Sequence, residues 1–167
     1  MMRRLFEDSS ASSAAEMALA LPLLLILIWG PLEIGNYFMD EHMLVKGVRD
    51  GAVYAAHQDI SNYNCTTNSI SQTVQDDTKN MVRSGQLASG VDRLRNWGSA
   101  TFTMTLTCVT QATNGTTLSG IYTLNGGNVP LVTVTASVPY APILGNLGFR
   151  PATLTLNASQ QATVMGI

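Results

Sequence analysis

The chain has 167 residues, of which 46% are hydrophobic and only 12% charged, and its formal net charge is −2. This length allows one domain with at most one appendage, and the charge excludes a general nucleic-acid binder. No acidic residue follows Asp92, and the only charges beyond it are Arg93, Arg95 and Arg150. This C-terminal part is rich in Thr, Asn and Gly. Such sequence favours β-strands that are covered or that meet a partner, because charged edges usually guard against strand addition.

The first predicted element is an apolar helix near the N-terminus, where residues 17–32 carry no charge. Sixteen helical residues span about 24 Å, somewhat less than the ~30 Å hydrocarbon core of a bilayer. Three interpretations compete: a cleaved secretory signal with Arg3 and Arg4 as its basic region, an uncleaved anchor, and a prepilin-type segment. The small-x-small pattern of a signal cleavage site is missing after the run, which weighs against the first interpretation.

Glu16 stands at the entrance of this apolar run. It would lie in the first helical turn, where the helix macrodipole favours an anion. A cut between Ala11 and Ser12 would create an α-amino group about one turn away, and Glu16 could pair with that amine on its own or a neighbouring chain. The alternative is a carboxylate that lies in the headgroup region without a functional role.

The segment SSAAEMALALPLLLILIWGPLEIGNYF, followed by VKGVRDGAVYAA, resembles the N-terminal signature of TadE-like pseudopilins. These are small membrane-anchored components of Tad (tight adherence, Flp-type) pilus systems. Met17 and Ile34 depart from the pattern, which has aromatic residues there, and Ala11 stands where a glycine is commoner before the cut. The resemblance covers about residues 10–57, and the residues that fit are Glu16, Pro22, Glu33, Gly35, Arg49, Gly51, Ala52, Ala55 and Ala56.

The resemblance implies a non-catalytic minor pilin or pseudopilin that initiates or caps pilus assembly. Its implied partners are the inner membrane, a prepilin peptidase and other Tad minor pilins, with the major pilin as a further candidate. The N-terminus would be cytoplasmic and the C-terminal domain periplasmic, and incorporation into an extracellular pilus is left open. The implied sites are prepilin processing at Ala11, Ser12, Glu16 and Met17, and subunit docking through Glu16, Pro22 and Glu33. The alternative function is a stand-alone membrane-anchored periplasmic binding domain.

Beyond the apolar run, hydrophobic residues recur every three to four positions and predict one long helix over residues 13–58, with Pro22 and Pro31 as candidate kinks. We divide the chain into a leader (1–11), this transmembrane and stalk helix (12–58) and an exported domain (59–167). Turn-rich residues 59–68 precede a second helix over 69–87, capped by Ser69. The inward residues are predicted to be Ile34, Phe38, Val45, Val48, Ala52 and Ala55 in the first helix, and Ile70, Val74, Met81 and Leu87 in the second.

From residue 100 the hydrophobic period changes to two, and Phe102, Met104, Leu106 and Cys108 alternate with threonines in a half-buried strand. A turn at residues 114–115 predicts a hairpin with a second strand over 118–124. A third strand is predicted over 131–140 and a last one over 153–164, with Leu154 and Leu156 inward. Strands with a single apolar face need a cover, so we predict a pilin-like α+β fold in which both helices pack on a roughly four-stranded antiparallel sheet.

The remaining candidates for chemistry are few. Cys65 and Cys108 lie 43 residues apart, which is no metal-ligand spacing; in an exported domain they predict a disulfide, with two buried thiols as the alternative. His42 and His57 would lie about 22 Å apart along the helix, too far to share a metal ion. No phosphate-loop, dinucleotide-binding or nucleophile-elbow pattern is present. We therefore expect no enzyme, no cofactor and no metal site.

Overall fold

The computed structural model of the chain describes residues 9–88, 90–110, 122–123, 127–143, 145 and 154–166. In this part of the chain lie two α-helices and two antiparallel sheets, so the predicted α+β class is confirmed. The elements in chain order are α1 (Ser9–Ala56), β1 (Tyr63–Asn64), β2 (Ser69–Ile70), α2 (Gln72–Ser84), β3 (Thr101–Thr110), β4 (Asn128–Pro139) and β5 (Thr155–Thr163).

Helix α1 is 48 residues long, which corresponds to about 72 Å. It runs through Pro22 and Pro31, and its extent is close to the predicted 13–58. The helix is rich in Leu, Met and Ala, which are among the best helix formers. Its C-terminal half packs on the rest of the chain, whereas its N-terminal half does not.

The buried face of α1 differs from the predicted stripe over part of its length. Val48, Ala52 and Ala55 are buried as predicted, but Ile34 is 58% exposed and Phe38 and Val45 are about half exposed. That part of the prediction is wrong, because Glu33 and Tyr37 occupy the face of α1 towards the domain. Further along, Leu44 takes the buried place assigned to Val45. The buried residues of α1 are Leu44, Gly47, Val48, Gly51, Ala52, Ala55 and Ala56.

Helix α2 begins later than predicted. Ser69 and Ile70 form strand β2, which pairs with β1 in a small antiparallel sheet, so the predicted cap at Ser69 is wrong and Ser71 is the N-cap. Strand pairing of Ser69 and Ile70 satisfies backbone groups that a longer helix would otherwise have used. The helix ends at Gly85, whose φ of 77° is the left-handed conformation that favours glycine.

The buried face of α2 is formed by Val74, Thr78 and Val82. Val74 agrees with the prediction and Ile70 packs against the core from β2, but Met81 is only half-buried and Leu87 is exposed. Met81 and Val82 are adjacent apolar residues, and the contact with α1 selects Val82. The helical period identified the face of α2 without fixing which of two neighbours is buried.

Strand β4 is the centre of a three-stranded antiparallel sheet with the order β3-β4-β5. Leu106 of β3 pairs with Val132, and Val138 pairs with Leu156 of β5. The prediction was roughly four strands. Most of the strand predicted over 118–124 lies outside the described residues, and the two that are described, Tyr122 and Thr123, form a short 3₁₀ turn instead of a strand.

The two faces of this sheet differ sharply in composition. The inner face is apolar and fully covered, with Val132, Val134, Ala136 and Val138 of β4 at most 1% exposed. The outer face carries Thr, Ser, Asn and Gln. The prediction for the last strand is half right: Leu156 is 1% exposed, but Leu154 is 46% exposed because it precedes β5 and lies beside α1.

The core brings α1 against α2 and against β4 and β5. Its residues form one hydrophobic cluster that includes Leu44 of α1, Val82 of α2 and Trp97 of the segment between α2 and β3. The C-terminal segment is attached by two backbone hydrogen bonds: Val164 N–H donates to Pro130 O (2.9 Å) and Met165 N–H donates to Ala56 O (2.8 Å). The domain is therefore built around the C-terminal half of α1.

Candidate membrane anchor and docking site

The N-terminal half of α1 is long and apolar enough to cross a membrane. None of its most apolar 18-residue stretch is buried by the described residues, and the mean hydropathy of that stretch is 2.1. A core helix of a globular domain would bury much of such a surface. The exposed apolar helix indicates a membrane anchor.

The residues predicted for processing and docking lie along this exposed half. Glu16, Met17 and Pro22 are in α1 and all are exposed, and Ala11 and Ser12 lie in the first turns of the same helix. Glu16 is thus separated from the folded domain by the whole apolar run. Any partner for its carboxylate in the predicted interface would have to come from the N-terminus or from another chain.

Glu33, the third predicted docking residue, is in a different position. Its carboxylate Oε1 accepts a hydrogen bond from Tyr140 Oη (2.7 Å) and another from the backbone N–H of Ile143 (3.2 Å). The structure therefore brings Glu33 together with the segment that follows β4. Its carboxylate ties the end of the apolar run to the domain of the same chain.

A small polar network surrounds this contact. Asn36 Nδ2 donates to Tyr140 Oη (2.8 Å), and Arg95 Nη2 donates to Ala141 O (3.1 Å) and Asn36 Oδ1 (3.4 Å). The Tyr37 ring meets the Tyr140 ring edge to face, with centroids 5.3 Å apart, a favourable aromatic geometry. We refer to Glu33, Asn36, Tyr37, Arg95 and Tyr140 as the helix–domain junction.

Burial raises the pKa of Tyr140 to about 12. The hydrogen bond to Glu33 and the charge of that carboxylate act in the same direction, because both disfavour a phenolate, whereas the bond from Asn36 opposes them. Tyr140 therefore stays protonated at neutral pH. It can donate to Glu33 while accepting from Asn36.

An apolar groove of about 400 Å³ opens beside the junction. It lies between α1 and the domain, at the end of the apolar run, and its lining is almost entirely apolar. Ile34, Phe38 and Leu154 are the exposed members of this lining. The lining residues are Glu33, Ile34, Tyr37, Phe38, Tyr140 and Leu154.

Close packing against α2 explains the glycines in the C-terminal half of α1. A Cβ on Gly47 would lie 2.7 Å from the backbone oxygen of Val82, and a Cβ on Gly51 would lie 2.5 Å from Val82 Cγ2. Ala52 and Ala55 are completely buried on the same helix. The two glycines let α2 approach the backbone of α1.

Cys65 and Cys108 are joined by a disulfide, with their Cα atoms 5.6 Å apart. Cys65 lies between β1 and β2, and Cys108 lies near the end of β3. The bond therefore connects the segment that follows α1 to the main sheet. In the part of the chain that the structure describes, no group of three or more His, Cys, Asp or Glu is arranged to hold a metal ion.

The exposed helix and its continuation into the domain match a known protein family. Residues 11–53 match the family model described as TadE-like protein. This N-terminal segment is similar to TadE-like proteins. The match covers Glu16, Pro22, Glu33 and Gly51 and ends inside α1. It supports the resemblance to TadE-like proteins of Tad systems.

The match leaves out the α2 helix and the whole sheet. No match to the chain was found among curated proteins or among solved structures. TadE-like proteins are a structural, non-enzymatic kind of protein. The similarity to TadE-like proteins is thus confined to the anchor and the start of the domain, and the rest of the domain must be interpreted from its own geometry.

Sequence reasoning singled out Glu33 as a subunit-docking residue and missed its contacts with Tyr140 and Ile143 of the same chain. The segment around Tyr140 offered one signal, a tyrosine directly after a strand of alternating valines. A tyrosine at such a place usually has an apolar ring and a hydrogen-bonded hydroxyl. Nothing in the spacing indicates that its partner lies more than a hundred residues earlier in the chain.

Proposed function

We propose that this chain is a minor pilin or pseudopilin of a Tad-type pilus, with a non-catalytic role in initiating or capping assembly. The observation that carries this proposal is the TadE-like match on a helix whose first half is exposed and apolar and whose second half is the spine of an α+β domain. Such a helix can dock laterally against other helices in the membrane. The folded domain then lies at the end of the packed helices.

In this proposal the N-terminus is cytoplasmic and the domain is periplasmic, where an oxidising environment maintains the bond between Cys65 and Cys108. A prepilin peptidase cuts between Ala11 and Ser12. The new amine pairs with Glu16 of its own or a neighbouring chain, so that the carboxylate is neutralised at the membrane surface. Pro22 lies on the exposed docking surface, and other Tad minor pilins are the expected partners.

Mass spectrometry of the mature N-terminus tests the processing step. The full chain is co-expressed with a prepilin peptidase and purified from membranes. The expected mature chain begins at Ser12, whereas expression without the peptidase leaves Met1 or Met2 in place. A cut beyond residue 30, or an uncut chain in the presence of an active peptidase, contradicts the proposed processing.

A Glu16→Ala variant tests the docking role of the carboxylate. The variant is expected to insert into membranes normally but to lose most of its co-purification with other pilins of the system. Glu41→Ala is the matched control, because Glu41 lies on the same helix beyond the apolar run. Equal recovery of partners with both variants would show that Glu16 has no docking role.

The outer face of the sheet favours one alternative function, a membrane-anchored binding domain. Strands β3, β4 and β5 contain no charged residue, and the middle of their outer face is an array of hydroxyl and amide groups. Thr135 Oγ1 and Ser159 Oγ are 3.0 Å apart, and Gln161 Nε2 donates to Thr133 Oγ1 (3.4 Å). Binding of a soluble ligand to the purified chain, with partner recovery unaffected by Glu16→Ala, would favour this alternative.

A further inference from the structure

The uncharged run of residues 17–32 is too short to cross a bilayer as it stands, since sixteen residues span about 24 Å. The next charged residue after Glu33 is Asp40. Residues 17–39 form an uninterrupted part of α1, and their 23 residues span about 34 Å, which matches the ~30 Å hydrocarbon core with a small tilt. The obstacle to this longer span is Glu33.

The helix–domain junction removes that obstacle. The Glu33 carboxylate accepts hydrogen bonds from Tyr140 Oη and from Ile143 N–H, and the Asn36 amide donates to Tyr140 Oη. Polar groups at membrane depth are tolerated when they face protein and are hydrogen-bonded, because the cost of leaving water is then largely offset. The Glu33 carboxylate and the Asn36 amide are therefore hydrogen-bonded from within the chain.

The other side of the same turn is apolar and uncovered. Ile34, Phe38 and Met39 of α1 are each more than half exposed, and the domain adds Ile143 (51%) and Leu154 (46%) beside them. We call these five residues the apolar rim. The rim continues the exposed apolar surface of residues 17–32 and includes two residues, Ile143 and Leu154, that are far away in sequence.

We propose that the apolar rim is immersed in the membrane leaflet nearer to the domain and that lipid acyl chains fill the groove beside Tyr140. We infer that lipid occupies the groove because the groove opens at the end of a helix surface that already faces lipid. The depth of the rim follows from length, because the uncharged run of residues 17–32 falls short of bilayer thickness and the turn that carries Ile34 and Phe38 extends it. The domain thus rests on the bilayer and is held there by its own α1, Ile143 and Leu154.

This inference rests on the membrane anchor alone and holds whether or not the chain assembles into a pilus. It explains why the sequence places an acidic residue directly after the apolar run. Glu33 joins the domain to the helix at membrane depth, where water competes poorly for its hydrogen bonds. It also predicts that the domain has a fixed height above the bilayer.

Quenching of tryptophan fluorescence by brominated phosphatidylcholine tests the proposal. The full-length chain with Trp29→Phe, which retains the buried Trp97, is reconstituted into phosphatidylcholine vesicles as the background. Ile143→Trp and Leu154→Trp place probes at the rim. Val91→Trp is the matched control, because Val91 is 90% exposed and lies in the segment between α2 and β3.

Lipid brominated near the headgroup end of the acyl chain is expected to quench both rim probes at least about twofold more than the Val91 probe, after subtraction of the background. Rim emission is also expected to shift to shorter wavelength than that of the control. Equal quenching of rim and control probes would overturn the proposal. A second result would also overturn the proposal: the chain stays dimeric at high lipid dilution and its rim probes are shielded from bromolipid. A second copy of the chain would then cover the rim.

Vesicle flotation separates this proposal from the membrane anchor. A chain that floats with the vesicles but has unquenched rim probes retains its anchor and refutes the immersed rim. A chain that does not float refutes both. Two rim positions are used because each substitution replaces an exposed side chain at a different point of the domain. If one variant fails to fold, the other still reports on the rim.

Discussion

Tyr140 is the residue at which the anchor and the domain meet. Its hydroxyl donates to Glu33 and accepts from Asn36, and its ring packs on Tyr37. All of these partners lie on one turn of α1, so that a single side chain from the end of β4 positions the helix. Glu33 and Glu16 look alike in sequence, as acids at the two ends of an apolar run, but only Glu33 is engaged by the domain.

Substitution of Tyr140 by Phe tests this contact through its pH dependence. Because the folded-state pKa of Tyr140 is raised to about 12, the folded protein binds its phenolic proton more tightly than the unfolded chain, whose tyrosines titrate near pH 10. Its contribution to stability is therefore complete below about pH 10 and is lost as the pH rises towards about 12.

In Tyr140→Phe, we expect a loss of about 1–3 kcal/mol at neutral pH, because Glu33 and Asn36 lose a partner. The alkaline decline in the free energy of unfolding should also become shallower than in the unmodified chain. Urea unfolding of the full chain in detergent, repeated across this pH range, measures both. An unchanged alkaline slope in the variant would contradict the assigned pKa.

At the scale of elements, the packing of α1 against α2 depends on two glycines spaced one helical turn apart. Gly47 faces the backbone oxygen of Val82 and Gly51 faces its side chain. Val82 is β-branched and cannot easily rotate away from an added Cβ. The small residues near the end of the TadE-like segment therefore serve the fold of this chain, whatever their role in docking.

We expect Gly47→Ala to destabilise the folded domain by about 1–3 kcal/mol, because a backbone atom 2.7 Å from the new Cβ cannot move aside without shifting α2. Gly35→Ala is the matched control. It lies on the same helix with nothing within 4 Å of the added Cβ, so only the small gain in helix propensity remains. Chemical denaturation of both variants measures the difference. Equal stabilities would show that α2 is free to move away.

At the scale of the whole molecule, covalent and ionic links hold the segments around the core. The disulfide joins the loop after α1 to β3, and Arg93 pairs with Asp50 of α1 across 3.4 Å. Arg83 at the end of α2 also pairs with Asp92 in the following segment. Most of the other charged residues that the structure describes lie on the two helices, and the strands of the main sheet have none.

Replacement of both Cys65 and Cys108 by Ser should lower the free energy of unfolding by about 2–5 kcal/mol, because the bond closes a loop of moderate length in the unfolded chain. Denaturation of the full chain with and without reductant measures this effect. Reductant should destabilise the unmodified chain but leave the double variant unchanged. Two titratable thiols in protein purified from membranes without reductant would contradict the bond.

The sequence was sufficient to predict the long helix, the second helix and the strands near residues 101 and 131, since each carries a sustained period of three to four or of two. It was less informative where apolar residues are adjacent. Leu44 and Val45, or Met81 and Val82, satisfy the period equally well, and contacts with another element decide which is buried. The local capping signal at Ser69 was overridden because Ser69 and Ile70 pair with β1.

By itself, the sequence predicted an apolar N-terminal helix that resembles TadE-like proteins, joined to an α+β domain, because periodicity and composition are local properties of the chain. Only the tertiary structure decided that Glu33 faces Tyr140, that Leu154 stays outside the core and that Gly47 lies against Val82. Each of these contacts joins residues far apart in sequence. The proximity of these residues depends on how α2 and the sheet dock on α1, and no local pattern encodes that arrangement.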